Sequence, residues 1–347
     1  MIRLSIILPM YKVEHYIERC IRSLQEQDIP NEEYEIICIN DGSPDNSRMV
    51  VLNLKKEFNN IILIDQENQG VSRARNNGID KALGKYLLFV DPDDYVDKNS
   101  FGRILNTADS QNAQVSFLGF TFLEENGQVR KTIFNSEYNH RIFEGKEAYY
   151  VARSNRKTDP DRMVAILFYT QFFNMNGLRF LPNVPFLEDG EFIARILFLA
   201  KRCIFDGHPF YLRTSRPGSA TNSKLFNTEK AFYGFLSAAK NLESFKHEQA
   251  SLGKDVIFLN RPIVKFVILC ASSTVGLKEL SRVFKTVRLL KESGFRKLSL
   301  KGCDNRFIIL GQFYNISPYF LYIYLTLESF LISGRNSFAS IVRPKKE

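Results

Sequence analysis

The sequence predicts an α/β protein: a mostly parallel sheet flanked by helices, followed by a helical C-terminal extension. Three observations predict it. Short apolar runs of strand length alternate with helical patterns over the first hundred residues. Those runs are apolar at successive rather than alternate positions, as expected of strands covered on both faces. Beyond about residue 226, helical patterns dominate.

The elements follow in order. LSIILP, residues 4–9, reads as a first strand, and the segment after it places Ile17, Ile21 and Leu24 at helical spacing. YEIICIN, residues 34–40, is a second strand, stopped by the turn and cap formers of DGSPDNS. NIILID, residues 60–65, is a third, GVSRARNNGIDKAL a helix, and KYLLFV, residues 85–90, a fourth strand. Ligands of such sheets bind at the carboxyl ends of the strands, so PMYK, NDGSPDNS and DPDDYVD should share one rim. Residues 112–134 read as strands with a hairpin at ENGQ, 145–154 as a short helix, LEDGEFIARILFLAKRC as a helix and HPFYLRT as a strand. We expect one domain over residues 1–225, in halves 1–100 and 101–225, and a basic helical region over 226–347.

With 347 residues, 44% hydrophobic and 24% charged, the chain can bury a sizeable core. The opening residues run straight into a strand without a small-residue cleavage site, so no signal peptide is expected. Five cysteines without a C-x-x-C pair fit reduced thiols in a cytoplasmic protein, and four scattered histidines offer no zinc spacing. Charge is uneven: residues 1–200 carry 23 basic and 28 acidic side chains, residues 201–347 carry 24 and 10. The net +9 therefore belongs to the C-terminal part, which can face anionic lipid or an anionic substrate. Its basic residues are not interleaved with a nucleic-acid recognition motif, so no nucleic-acid partner is expected.

The densest chemistry lies in LLFVDPDDYVD, residues 87–97, where four carboxylates follow a buried strand. Carboxylates there are costly unless solvated or facing positive charge. A solvated turn is one reading. A calcium helix-loop-helix needs glycine at the sixth loop position and glutamate at the twelfth, and counting from Asp91 gives Val96 and Gly102, so that reading fails. A phosphatase of the haloacid dehalogenase type also uses D-x-D, but Tyr95 stands where its pattern has threonine. The remaining reading is that Asp91 and Asp93 hold a hard divalent cation, Mn²⁺ or Mg²⁺, beside a phosphate-bearing substrate.

SIILPMYKVEHYIERCIRSLQEQ, IICINDGSPDNS, ENQGVSRARNNGID and GKYLLFVDPDDYVD, in that order, resemble the successive motifs of the family 2 glycosyltransferases. The resemblance covers the first hundred residues and implies a Rossmann-like, A-type glycosyltransferase fold and an inverting nucleotide-sugar enzyme. It implies that Pro9 to Tyr11 lie along the nucleotide, with Lys12 where the family often has asparagine. Asp41 would hydrogen-bond the base, although DGSPD would be a good turn in any case. Arg75, with Gly70 and Asn76, would lie in the segment closing over the nucleotide. Asp91 would face ribose or a metal-bound water, Asp93 would ligate the metal directly, and Asp94 would assist. LEDGEF resembles the family's acidic pair before a helix, which implies Asp189 as general base with Glu188 beside it; the same acids would cap the helix. Arg216 and Ser219, in YLRTSRPGSATN, would close on the diphosphate.

The implied partners are a nucleotide-sugar donor, UDP-linked by expectation, and a saccharide or polyprenyl-linked glycan acceptor in cell-surface polysaccharide synthesis. A catalytically inactive binding or assembly protein of the same fold is the rival of another class. KELSRVFKTVRLLKE forms a basic amphipathic pattern, open to peripheral contact with anionic membrane or to packing on its own domain. YFLYIYLTLESFLI, residues 319–332, is too short to span a bilayer.

Overall fold

The computed structural model describes residues 1–124, 126–133, 136–139, 141–154, 161–214, 224–275 and 280–331. The chain divides into two compact units, one of residues 1–182 with 199–219, the other of residues 183–198 with 220–347.

In the first unit the parallel strands are β1 (Leu4–Met10), β2 (Tyr34–Asp41), β3 (Ile61–Gln66) and β4 (Tyr86–Phe89). The short β5 (Tyr95–Val96) lies within the stretch expected to be a loop, then come β6 (Val115–Leu123), β7 (Val129–Ile133), β8 (Ile166–Tyr169) and β9 (Cys203–Thr214). Among the described residues these nine strands form one sheet in the order β3-β2-β1-β4-β8-β6-β9-β5, with β7 on β6. The first four strands run parallel, β8 is antiparallel to both its neighbours, and β6 is parallel to β9. Strand order reverses between β1 and β4, and the carboxyl ends that flank this switch point carry Tyr11 and Asp91.

Both sheet faces are covered, as the unbroken apolar runs require. α1 (Ile17–Gln25), α2 (Ser47–Glu57) and α4 (Phe101–Ser110) send Ile21, Leu24, Val51, Leu54, Phe101 and Leu105 onto Ile6, Leu8, Cys38 and Leu88. α3 (Val71–Lys81) covers the other face, where Ala74 meets Ile37 and Ile39. Each such fully buried aliphatic side chain contributes roughly 1.5–3 kcal/mol. Pro9 costs no ladder bond, because pairing with β4 ends at Ile7 and beyond it β1 pairs only with β2. α5 (Gly145–Ser154) and α6 (Thr170–Met175) complete this unit's helices among the described residues.

The second unit contains α7 (Glu188–Leu199), α8 (Glu229–Ser251), α9 (Ile257–Val275), α10 (Leu280–Glu292), α11 (Asn305–Ile316) and α12 (Pro318–Leu331). α9 is its central helix, packed by α8, α10, α11 and α12. It is long and apolar enough to cross a membrane by composition, yet it is almost wholly buried inside the protein. It also buries Arg261, whose Nε donates to Asp304 Oδ2 at 3.0 Å while the guanidinium lies over the Phe307 ring. Asp304 caps α11 as well, accepting from Phe307 N–H, so one carboxylate satisfies a helix end and a buried cation. The acidic start of α7 holds a third acid, Glu191, fully buried against Arg195 at 2.6 Å and Asn241 at 2.7 Å.

Candidate active site

The rim is assembled from three loops. After β1 the chain turns at Lys12 with a left-handed φ of 56°, a conformation that asparagine adopts more readily than lysine. This gives a backbone reason for the asparagine common at that position in the resembling family. The turn is fastened to the β2–α2 loop: Lys12 N–H donates to Ser43 Oγ at 2.8 Å, Val13 N–H to Ser47 Oγ at 3.0 Å and Glu14 N–H to Asp45 Oδ2 at 3.1 Å. Burial works against the Asp45 charge, but hydrogen bonds from Ser43, Ser47 and the Glu14 and Ser47 amides outweigh it and hold the carboxyl down at about 2. Pro9 is buried and Tyr11 is 43% exposed at the rim.

Asp41, at the end of β2, is buried and braces the segment before α3. Its Oδ1 accepts from Gln66 Nε2 at 2.7 Å and from Gln69 N–H at 2.8 Å, and its Oδ2 accepts from Gly70 N–H at 2.9 Å. Gly42 takes φ +62°, and a Cβ there would meet the Asn68 backbone nitrogen at 2.8 Å, so only glycine fits between the two loops. Asn76 exchanges two hydrogen bonds with the Phe180 backbone, at 2.9 and 2.8 Å.

The acidic corner lies beyond β4. Carboxylate oxygens of Asp91, Asp93 and Asp94 all lie within 4.8 Å of one another. Asp91 and Asp93 are half-buried, and the buried Arg75 guanidinium of α3 reaches Asp91 Oδ1 at 3.3 Å. Asp94 turns inward: Tyr211 Oη donates to its Oδ2 at 2.8 Å and Thr214 N–H to its Oδ1 at 2.7 Å. The Tyr211 oxygen also accepts from Asp91 N–H at 3.0 Å, and Thr214 Oγ1 donates to the Asp93 carbonyl at 2.6 Å. Burial, then the charges of Asp91 and Asp93, push the Asp94 carboxyl well above the usual carboxylate range. From α1, Arg19 donates to the Asp93 carbonyl at 2.9 Å and covers the Tyr95 ring. Two half-open carboxylates held beside a buried, hydrogen-bonded third offer hard oxygen donors, the type that suits Mg²⁺ or Mn²⁺.

Of the predicted site residues, Arg75, Asp91, Asp93 and Asp94 come together at this corner. Asp189 and Glu188 occupy the first turn of α7 in the second unit, both half-buried, after Leu187 at φ 56°. Arg216 and Ser219 lie outside the described residues. Arg19, Tyr211 and Thr214 are absent from the residues singled out in the sequence; the last two lie on β9, which reaches the acidic corner through its antiparallel pairing with β5.

The family model for glycosyl transferase family 2 matches residues 5–169. The uncharacterized glycosyltransferase EpsJ of Bacillus subtilis is 32% identical over 247 residues, which cover 68% of this chain and 71% of that protein. The chain belongs to glycosyltransferase family 2. Membership sets aside the phosphatase reading of D-x-D. A GalNAc(5)-diNAcBac-PP-undecaprenol β-1,3-glucosyltransferase of Campylobacter jejuni is 27% identical over 305 residues, 86% of this glycosyltransferase and 89% of the relative. Several other curated relatives are longer, and the chain spans 27–44% of their length. A crystal structure of Staphylococcus aureus TarS residues 1–349 in complex with UDP-GlcNAc shares the fold with a TM-score of 0.68 and 18% identity, covering 95% of this chain and 92% of that one.

Proposed function

We propose that this glycosyltransferase is a metal-dependent inverting enzyme. It moves a sugar from a nucleotide donor, UDP-linked, to a hydroxyl of a saccharide or polyprenyl-linked acceptor in cell-surface glycan synthesis, working at the cytoplasmic side of the membrane with peripheral contact through its C-terminal region. The observation that carries the reading is the acidic corner, with Asp91 and Asp93 half-open at the carboxyl end of β4 beside the switch point of the sheet. The C. jejuni relative named for a lipid-linked glycan and the TarS complex with UDP-GlcNAc support the substrate classes.

Asp93, with Asp91, would hold Mg²⁺ or Mn²⁺, and the bound ion would offset the negative charge that develops on the departing diphosphate. Pro9 to Tyr11 would lie along the nucleotide, and Asp41 would hydrogen-bond its base while ordering the loop before α3. Arg75 orients Asp91 and supplies positive charge. Asp189 takes the proton of the attacking acceptor hydroxyl with Glu188 as its neighbour, and Arg216 and Ser219 assist at the diphosphate. The corresponding division is a catalytic domain over 1–225 and a basic helical region over 226–347.

Calorimetric titration with UDP and Mn²⁺, paired with a donor-hydrolysis assay, tests these roles. Asp93→Ala should lose Mn²⁺-dependent UDP binding, whereas Asp189→Asn should bind UDP normally and lose turnover by at least about 10²-fold. Equal loss of binding in both variants would overturn the division of labour.

A further inference from the structure

The C-terminal helices leave a row of large apolar side chains in solvent. On α12, Tyr319, Phe320, Ile323 and Leu327 are 38%, 52%, 56% and 57% exposed, spaced so that they share one face. Ile316, at the end of α11, continues the row at 71% exposure, and Phe284 of α10, at 59%, joins it through ring contact with Tyr319 at 5.5 Å. Scattered exposed apolar residues are ordinary, but a contiguous row marks a contact surface.

Charge around the row identifies the contact. The one acid of α12, Glu328, is withdrawn from it, 9% exposed and 3.6 Å from Arg306 of α11. The outward face of α10 that carries Phe284 also carries Lys285, Arg288 and Lys291. Glu229 pairs with Lys285 at 2.9 Å and Glu292 with Arg288 at 3.6 Å, both at solvent-exposed sites where such pairs are weak and screened. An apolar and aromatic row beside a cationic helix face is the arrangement that settles into the headgroup region of an anionic bilayer.

We propose that α10 and α12, with the end of α11, form a docking face for an anionic phospholipid surface. Phe320, Ile323 and Leu327 enter the interface, and Lys285, Arg288 and Lys291 meet the phosphates. The face rests on the membrane contact proposed above and gives it an address. α9, apolar enough for a membrane helix, takes no part because it is buried in its own unit.

Co-sedimentation of the full chain with phosphatidylglycerol–phosphatidylcholine vesicles, against phosphatidylcholine alone, tests this. The full chain should bind the anionic vesicles. Phe320→Glu with Ile323→Glu should weaken that binding by about tenfold or more, while Met175→Glu, at a still more exposed site on the first unit, should leave it unchanged. Lys285→Glu with Arg288→Glu should weaken it most at low salt. Binding that is absent, or that survives Phe320→Glu with Ile323→Glu, overturns the proposal. So does absent binding with a concentration-dependent increase in mass by light scattering, which would assign the face to a second copy of the chain. Binding gained only when the chain ends at Leu331 also overturns it, assigning the face to residues 332–347. Donor hydrolysis in solution by Phe320→Glu with Ile323→Glu should match the unaltered chain, which separates failure of docking from failure of the transferase reading.

Discussion

Tyr211 shows how much of the acidic corner depends on residues with no acid chemistry of their own. Its hydroxyl is the shared partner of Asp91 N–H and Asp94 Oδ2, so it sets the direction in which the D-x-D backbone leaves β4. Tyr211→Phe removes both bonds and leaves a buried carboxyl short of a donor, at a cost of about 1–3 kcal/mol in urea unfolding. The same variant should weaken Mn²⁺-dependent UDP binding without removing either half-open aspartate, a loss that lower stability alone would not produce well below the unfolding midpoint. At this scale the sequence was partly legible. Asp91 and Asp93 stood out because carboxylates after a buried strand need a partner, Arg75 and Asp94 only through the family resemblance, and the four do meet. Tyr211, Thr214 and Arg19 did not, since an aromatic residue in a strand and an arginine on a helix carry no mark of what they touch.

Among the elements, strand and helix alternation over the first hundred residues was readable because burial on both faces writes itself as unbroken apolar runs. β5 was hidden: two residues inside an acidic turn carry no period, and only pairing of Tyr95 and Val96 with Leu212 and Tyr211 makes them a strand. The loops after β1 and β2 behave as one element, joined through Ser43, Ser47 and Asp45. Because the Asp45 carboxyl is held at about 2 against an ordinary 3.8, its contribution is present above pH 3.8 and is lost as pH falls through 2. Solvent screening limits it to roughly 1 kcal/mol. Acid unfolding followed by circular dichroism should therefore begin at higher pH in Asp45→Asn, and the difference in stability between the two proteins should vanish near pH 2.

For the whole molecule, charge and chemistry are divided between different stretches of chain. The D-x-D corner belongs to an acidic first part and the apolar row to a basic last part. Ligands that bind only the folded protein raise its stability by mass action, about 2.7 kcal/mol at a hundredfold excess over Kd. UDP with Mn²⁺ should thus raise the melting temperature by several degrees in the unaltered chain and by little in Asp93→Ala, whereas UDP with a chelator should do neither. The α/β class and the helical C-terminal region were legible from apolar periodicity. The grouping of α7 with the C-terminal helices was not, because it depends on contacts such as Glu191 with Asn241 and Phe198 with Phe245, which no local pattern announces.

α9 has a practical corollary. Nineteen residues of bilayer-compatible composition are wrapped by neighbouring helices. A shortened chain that keeps residues 257–275 but stops before α11 would bare that greasy surface and the buried guanidinium of Arg261 together. Such a fragment should precipitate or adhere to any detergent offered, and its behaviour would mimic that of an integral membrane protein.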